Sequence, residues 1–113
     1  MLRRKIKWYK LFENVQQLDE LFSYRPSAVY RSMFGEVLLV KHECGYAAFR
    51  NKCPHQGKSM EGCRVIGDSV VCPFHHYHFS VQHGRGHGLY LEKYELRINA
   101  EGVFLGKEGW SWF

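Results

Sequence analysis

No long apolar run exists in this chain. The longest unbroken aliphatic stretch, Val37-Leu38-Leu39-Val40, is far short of the ~20 residues that cross a bilayer as a helix. Length is short as well. A chain of 113 residues allows one domain, read here as residues 1–113. It buries roughly 65% of its unfolded surface in one modest core. That excludes a two-domain enzyme and any protein needing a separate cofactor domain. No internal repeat, linker or low-complexity segment interrupts the chain, and no Gly-x-Gly-x-x-Gly follows a strand-like run, since Gly84-Arg85-Gly86 lacks its third glycine. No nucleotide site is expected.

Acidic residues are outnumbered, 11 against 16 basic ones, for a net charge of +5. Basic balance suits nucleic acid, an anionic membrane or an acidic protein. The aromatics form no base-stacking platform, so a solvated basic terminus is the reading, with neither nucleic acid nor membrane as partner. Met1-Leu2-Arg3-Arg4-Lys5 has the charge of an export signal, which would then require about 7–15 apolar residues. The chain continues instead as Lys7-Trp8-Tyr9-Lys10-Leu11-Phe12-Glu13-Asn14, and a cytoplasmic protein is expected. In that compartment thiols stay reduced, so the four cysteines point to metal or catalysis before disulfides.

What is present is mostly β. Glu36–His42 and Tyr46–Arg50 read as a hairpin turning at Glu43-Cys44-Gly45. Cys63–Ile66 and Ser69–Cys72 read as a second, with Gly67-Asp68 as a tight two-residue turn. A third alternates through Tyr94, Leu96 and Ile98, turns at residues 99–102 and returns through Val103 and Leu105. Only Asn14 to Phe22 predicts a helix, with Asn14 as its cap and Val15, Leu18 and Phe22 on one face.

The chemistry lies in Cys53-Pro54-His55-Gln56-Gly57 and Cys72-Pro73-Phe74-His75. Each half sets a soft thiolate beside an imidazole, and each holds a proline that stiffens the loop. The hairpin between them would bring the second loop back beside the first, so both could grip one metal centre from one end of a β scaffold. Two inorganic readings stand. A zinc ion would take all four ligands tetrahedrally, although Cys53-x-His55 is tighter than the usual knuckle spacing. A Rieske 2Fe-2S cluster puts two thiolates on one iron and two imidazoles on the other, one of each from each loop.

With these motifs and sixteen residues between them, together with Gly62, Gly67 and Phe79, the chain resembles a Rieske-type ferredoxin, loosely over residues 8–105. The resemblance implies an all-β fold of stacked antiparallel sheets, three in number, with a 2Fe-2S cluster held by two loops at one end. It implies Cys53 and Cys72 on the inner iron, with His55 and His75 on the outer iron that takes the electron. It further implies a one-electron carrier, itself no enzyme, passing electrons from a reductase to a terminal oxygenase or similar acceptor. The alternatives are a module like the nitrite reductase small subunit, a redox or iron sensor, and a structural zinc domain.

The departures from the family pattern matter. High-potential members carry a disulfide beside the cluster, and one of its positions here is Phe74. They also carry hydroxyls that hydrogen-bond the sulfurs, at positions that here read Tyr77 and Phe79. Fewer such bonds stabilise the reduced cluster less, which predicts a potential at the low end of the Rieske range, about −150 mV. Imidazoles bound to the outer iron would lose protons more readily when it is oxidised, making the potential pH-dependent only above their oxidised-state pKa. His76 stands where many relatives have glycine, leaving the backbone after His75 open. His76 and His78 read as surface histidines on a strand, His83 and His87 as loop residues, His42 as an ordinary strand residue. Cys44 and Cys63 read as unpaired structural thiols, and Trp110-Ser111-Trp112-Phe113 as a tail packed on the domain or a neighbour.

Overall fold

A computed structural model describes residues 2–33, 35–74 and 76–112, without the side chains of residues 2–4 and 109–112. Its elements run β1 (Leu2–Phe12), α1 (Val15–Leu21), β2 (Ser27–Ser32), β3 (Gly35–His42), β4 (Gly45–Arg50), β5 (Arg64–Ile66), β6 (Ser69–Val71), β7 (His78–Ser80), β8 (Arg85–Gly86), β9 (Leu89–Tyr90), β10 (Lys93–Asn99) and β11 (Gly102–Trp112). They form three antiparallel sheets. The largest has six strands in the order β1-β11-β10-β4-β3-β2, the second is β5-β6-β7, and the third is the ribbon β8-β9. The fold is therefore all-β in curled antiparallel sheets, as the sequence predicts. Among the described residues no helix is long and apolar enough to cross a membrane.

All three expected hairpins form. Val37 pairs with Arg50 and His42 with Gly45 across the β3–β4 turn. Arg64 pairs with Val71 and Ile66 with Ser69, and Gly67 takes a positive φ of 59° in the two-residue turn between them. Ile98 pairs with Val103 around Ala100-Glu101. The helix is capped as predicted: Asn14 Oδ1 accepts the Gln17 N–H at 3.0 Å, while Gln17 Oε1 reaches back to the Glu13 N–H at 2.8 Å.

Local pattern did not announce β1. Its Lys-rich residues pair along β11, from Leu2 opposite Trp112 to Phe12 opposite Val103. The first and last strands therefore lie side by side. The tail is thus a strand over its backbone, while its side chains and Phe113 lie outside the described residues.

Two cores share the six-stranded sheet. Val37 and Leu39 face one, with Leu11, Leu18, Tyr94 and Leu105. Leu38 and Val40 face the other, with Phe49, Met60, Val70, Phe79 and Leu91. A strand covered on both faces has no polar side to show, which explains why residues 37–40 read as an unbroken apolar run. Cys53, Cys63 and Cys72 belong to the second core, so one of the two hydrophobic units of the fold also carries the thiols.

Candidate metal centre

Two loops leave this second core at one end. The first follows β4 and the second follows β6, and the two close in the same way. Gly57 N–H donates to the Cys53 carbonyl at 2.7 Å, and Cys53 N–H to the Lys58 carbonyl at 2.7 Å. In the second loop His76 N–H donates to the Cys72 carbonyl at 3.1 Å, and Cys72 N–H to the Tyr77 carbonyl at 2.9 Å. Each cysteine thus receives the N–H four residues on and donates to the carbonyl five residues on. The residue four after each cysteine must turn left-handed, with φ of 71° at Gly57 and 56° at His76. Glycine takes this conformation freely, and a histidine there costs about 1–2 kcal/mol. His76 is consequently a loop residue rather than a strand residue, correcting the sequence reading. Its ring lies with Nδ1 3.4 Å from Arg64 Nη2.

The paired closure brings Cys53 Sγ and Cys72 Sγ to 3.4 Å, both thiols free and about 1% exposed. Metal–sulfur bonds of about 2.3 Å at a tetrahedral angle hold two sulfurs about 3.8 Å apart. The pair needs to open by only a few tenths of an ångström to ligate one metal. Burial pushes the Cys53 thiol above its ordinary range, while the backbone N–H groups of His55 and Gln56 pull it down. Those N–H groups favour a charged sulfur, which is the form that binds metal. The same core holds the wholly buried Phe79, an apolar ring with no hydroxyl to offer.

His55 sits on the first loop and is exposed, its ring 4.6 Å from that of Tyr77. Two inner sulfurs with an imidazole outside match the donor set that a Rieske cluster needs on this side. His75, the fourth sequence-predicted ligand, lies outside the described residues.

Several residues that sequence reasoning missed support the loops. Asn51 Oδ1 accepts the Met60 N–H at 2.7 Å while its Nδ2 donates to Glu36 Oε1 at 3.0 Å and Ser59 Oγ at 2.9 Å. One side chain thereby ties both ends of the first loop to β3. Lys58 Nζ stands 4.8 Å over the Phe74 ring, a cation–π contact between the two loops. Ser27 Oγ donates to the Cys63 carbonyl at 3.0 Å behind them.

The remaining cysteines and histidines fall mostly as expected. Cys63 is buried and Cys44 exposed in the β3–β4 turn, both unpaired. His42 is on β3, its Nδ1 accepting the Cys44 N–H at 3.3 Å; His78 is exposed on β7, and His83 is in a loop. His87 is also in a turn, but its ring stacks on Tyr77 at 4.6 Å. A groove of about 680 Å³ lies along β10 and β11 among Tyr46, Tyr90, Glu92 and Lys93, and Cys53, His55 and Cys72 do not line it.

Residues 8–92 match the family described as the Rieske [2Fe-2S] domain. Over 77 residues the chain is 36% identical to the ferredoxin component of the alkene monooxygenase system of Xanthobacter autotrophicus, covering 65% of this chain and 63% of that protein. A chain in a complex of reduced oxygenase and oxidised ferredoxin in carbazole 1,9a-dioxygenase shares the fold. Its TM-score is 0.69 at 17% identity, over 87% of this chain and 91% of the other. A candidate NADH-dependent nitrite reductase small subunit from Mycobacterium tuberculosis shares it too, with a TM-score of 0.73 at 17% identity, over 91% of this chain and 96% of the other.

Proposed function

Because this chain belongs to the Rieske [2Fe-2S] domain family, we propose that it is a cytoplasmic one-electron carrier, a single domain that passes electrons from a reductase to a terminal oxygenase. The buried Cys53–Cys72 pair with His55 exposed beside it carries the reading. The ferredoxin role of the alkene monooxygenase relative supports it. In this proposal Cys53, Cys72, His55 and His75 hold the cluster, which when bound supplies a one-electron couple.

The protein's own residues do the rest. Met60, Val70, Phe79 and Leu91, all fully buried, exclude water from the sulfur side, while exposed His55 carries the site to the surface where a partner docks. Lys58 and Arg64, contacting Phe74 and His76 of the second loop, put positive charge around it. That charge suits an acidic partner, and association should weaken with salt as surface charges are screened. The nitrite reductase small-subunit reading has the shared fold behind it; the close pair of buried thiols at Cys53 and Cys72 favours the carrier.

Iron, acid-labile sulfide and zinc analysis of anaerobically purified protein tests this, with EPR before and after dithionite. The expected result is two irons per chain and a reduced-state signal whose average g lies below that of all-cysteine clusters. Zinc, or a metal-free protein, would refute the carrier.

A further inference from the structure

Three rings stand in file from the first loop to the turn between β8 and β9. His55 lies 4.6 Å from Tyr77 with planes at 42°, and Tyr77 lies 4.6 Å from His87 with planes at 19°. The far end is anchored, because His87 Nε2 accepts the His78 N–H at 3.1 Å where β7 begins. The file therefore links the first loop, the segment after the second loop, and the small β8–β9 ribbon.

His87 occupies this place against its own backbone preference. Its φ is 54°, and among the described residues only His76 and His87 take positive φ without being glycine. The conformation is disfavoured for a residue with a Cβ, and Gly88 beside it shows what sits there without strain. A histidine kept at such a position is explained by what its ring does, which is to stack on Tyr77 and accept the β7 N–H. Tyr77 in turn also contacts the ring of His55, an exposed side chain on a tight turn.

We propose that Tyr77 and His87 are positioning residues for His55, the stack fixing the plane of the imidazole that the first loop carries. This rests on the reading of His55 as a ligand. Ring pairs of this kind hold about 0.5–1.5 kcal/mol beyond buried area, so loss of the stack should let cluster escape to a chelator about two- to tenfold faster. It should also shift and broaden the g-values and imidazole-nitrogen couplings of the reduced protein, because a loosened ring samples several orientations. Merely structural residues would leave those couplings unmoved.

The test uses the full chain loaded with its cluster, compared with four variants by pulsed EPR and by timed loss to a chelator. Tyr77→Leu is expected to show the faster loss and the shifted couplings, and Tyr77→Phe to restore both. His87→Asn keeps a residue that tolerates left-handed backbone but removes the ring. It should move the same readouts in the same direction, and it decides the matter if Tyr77→Leu fails to fold. His55→Ala separates the two readings. An unchanged iron content and spectrum in His55→Ala would refute His55 as a ligand. A changed spectrum there, with wild-type couplings and loss rates in Tyr77→Leu and His87→Asn, would overturn the positioning role alone.

Discussion

Replacing Gly86 with alanine should unfold this domain far more readily than its chemistry suggests. Gly86 pairs with Leu89 in the β8–β9 ribbon and lies flat on the backbone of β7. A Cβ built there falls on the His78 carbonyl oxygen, and stands 3.0 Å from its carbon and 3.3 Å from Phe79 Cα. All three are main-chain atoms, so no side-chain rotation relieves the overlap, and the ribbon must lift off β7. Overpacking of this severity costs about 3 kcal/mol. At about 2.1 cal/mol/K of unfolding entropy per residue, a 113-residue chain loses about 4 °C of melting temperature per kcal/mol. The expected drop is therefore about 12 °C in thermal unfolding followed by circular dichroism. Gly88→Ala is the matched control. Its Cβ meets nothing within 4 Å, but its φ is +74°, so it carries only the left-handed penalty of about 1–2 kcal/mol, a drop of about 4–8 °C. Equal melting temperatures for the two variants would refute the argument that β8 is seated on the β7 main chain.

Asn51→Ala removes the acceptor for the Met60 N–H and the donor to Glu36, and should cost about 2 kcal/mol; urea unfolding that matches wild type would contradict its role as loop anchor. Tyr94 is largely buried, and burial pushes its hydroxyl above the ordinary tyrosine range, with Glu92 adding to the effect and Arg50 opposing it. Its proton is held more tightly folded than unfolded, so that stability is complete below about pH 10 and is lost as pH rises beyond. Tyr94→Phe should accordingly flatten the alkaline fall in melting temperature, and an unchanged slope would exclude Tyr94 as its source. Phe79, buried in the core that holds Cys53 and Cys72, has no hydroxyl to donate to sulfur, and the potential should lie near the low end of the Rieske range, about −150 mV; a voltammetric value well above zero would refute this.

The candidate site was legible as far as the two cysteine loops, because its chemistry is local. Cys53-x-His55 and Cys72-x-x-His75 mark candidate ligands by spacing, and the Gly67-Asp68 turn between them announces the hairpin that brings Cys53 and Cys72 together. Alternation along β10 and the cap at Asn14 are likewise short-range signals, written within a few residues. The role of His76 was half legible. Its left-handed backbone follows from a hydrogen-bond closure shared with Gly57 that appears only once both loops are folded.

What tertiary structure alone decided is set by residues far apart in the chain. The pairing of β1 with β11 joins segments about a hundred residues apart, and no local pattern encodes a partner at that distance. The run Val37–Val40 could not reveal that its alternate residues enter two different cores, since a strand buried on both faces shows no periodicity. His87 reads as one histidine in a glycine-rich loop until the β8–β9 ribbon folds onto β7 and sets its ring against Tyr77. Sequence by itself determined which atoms could bind metal, because ligand identity and spacing are local. The fold determined which neighbours hold them in place, because stacking and steric fit exist only between surfaces already brought together.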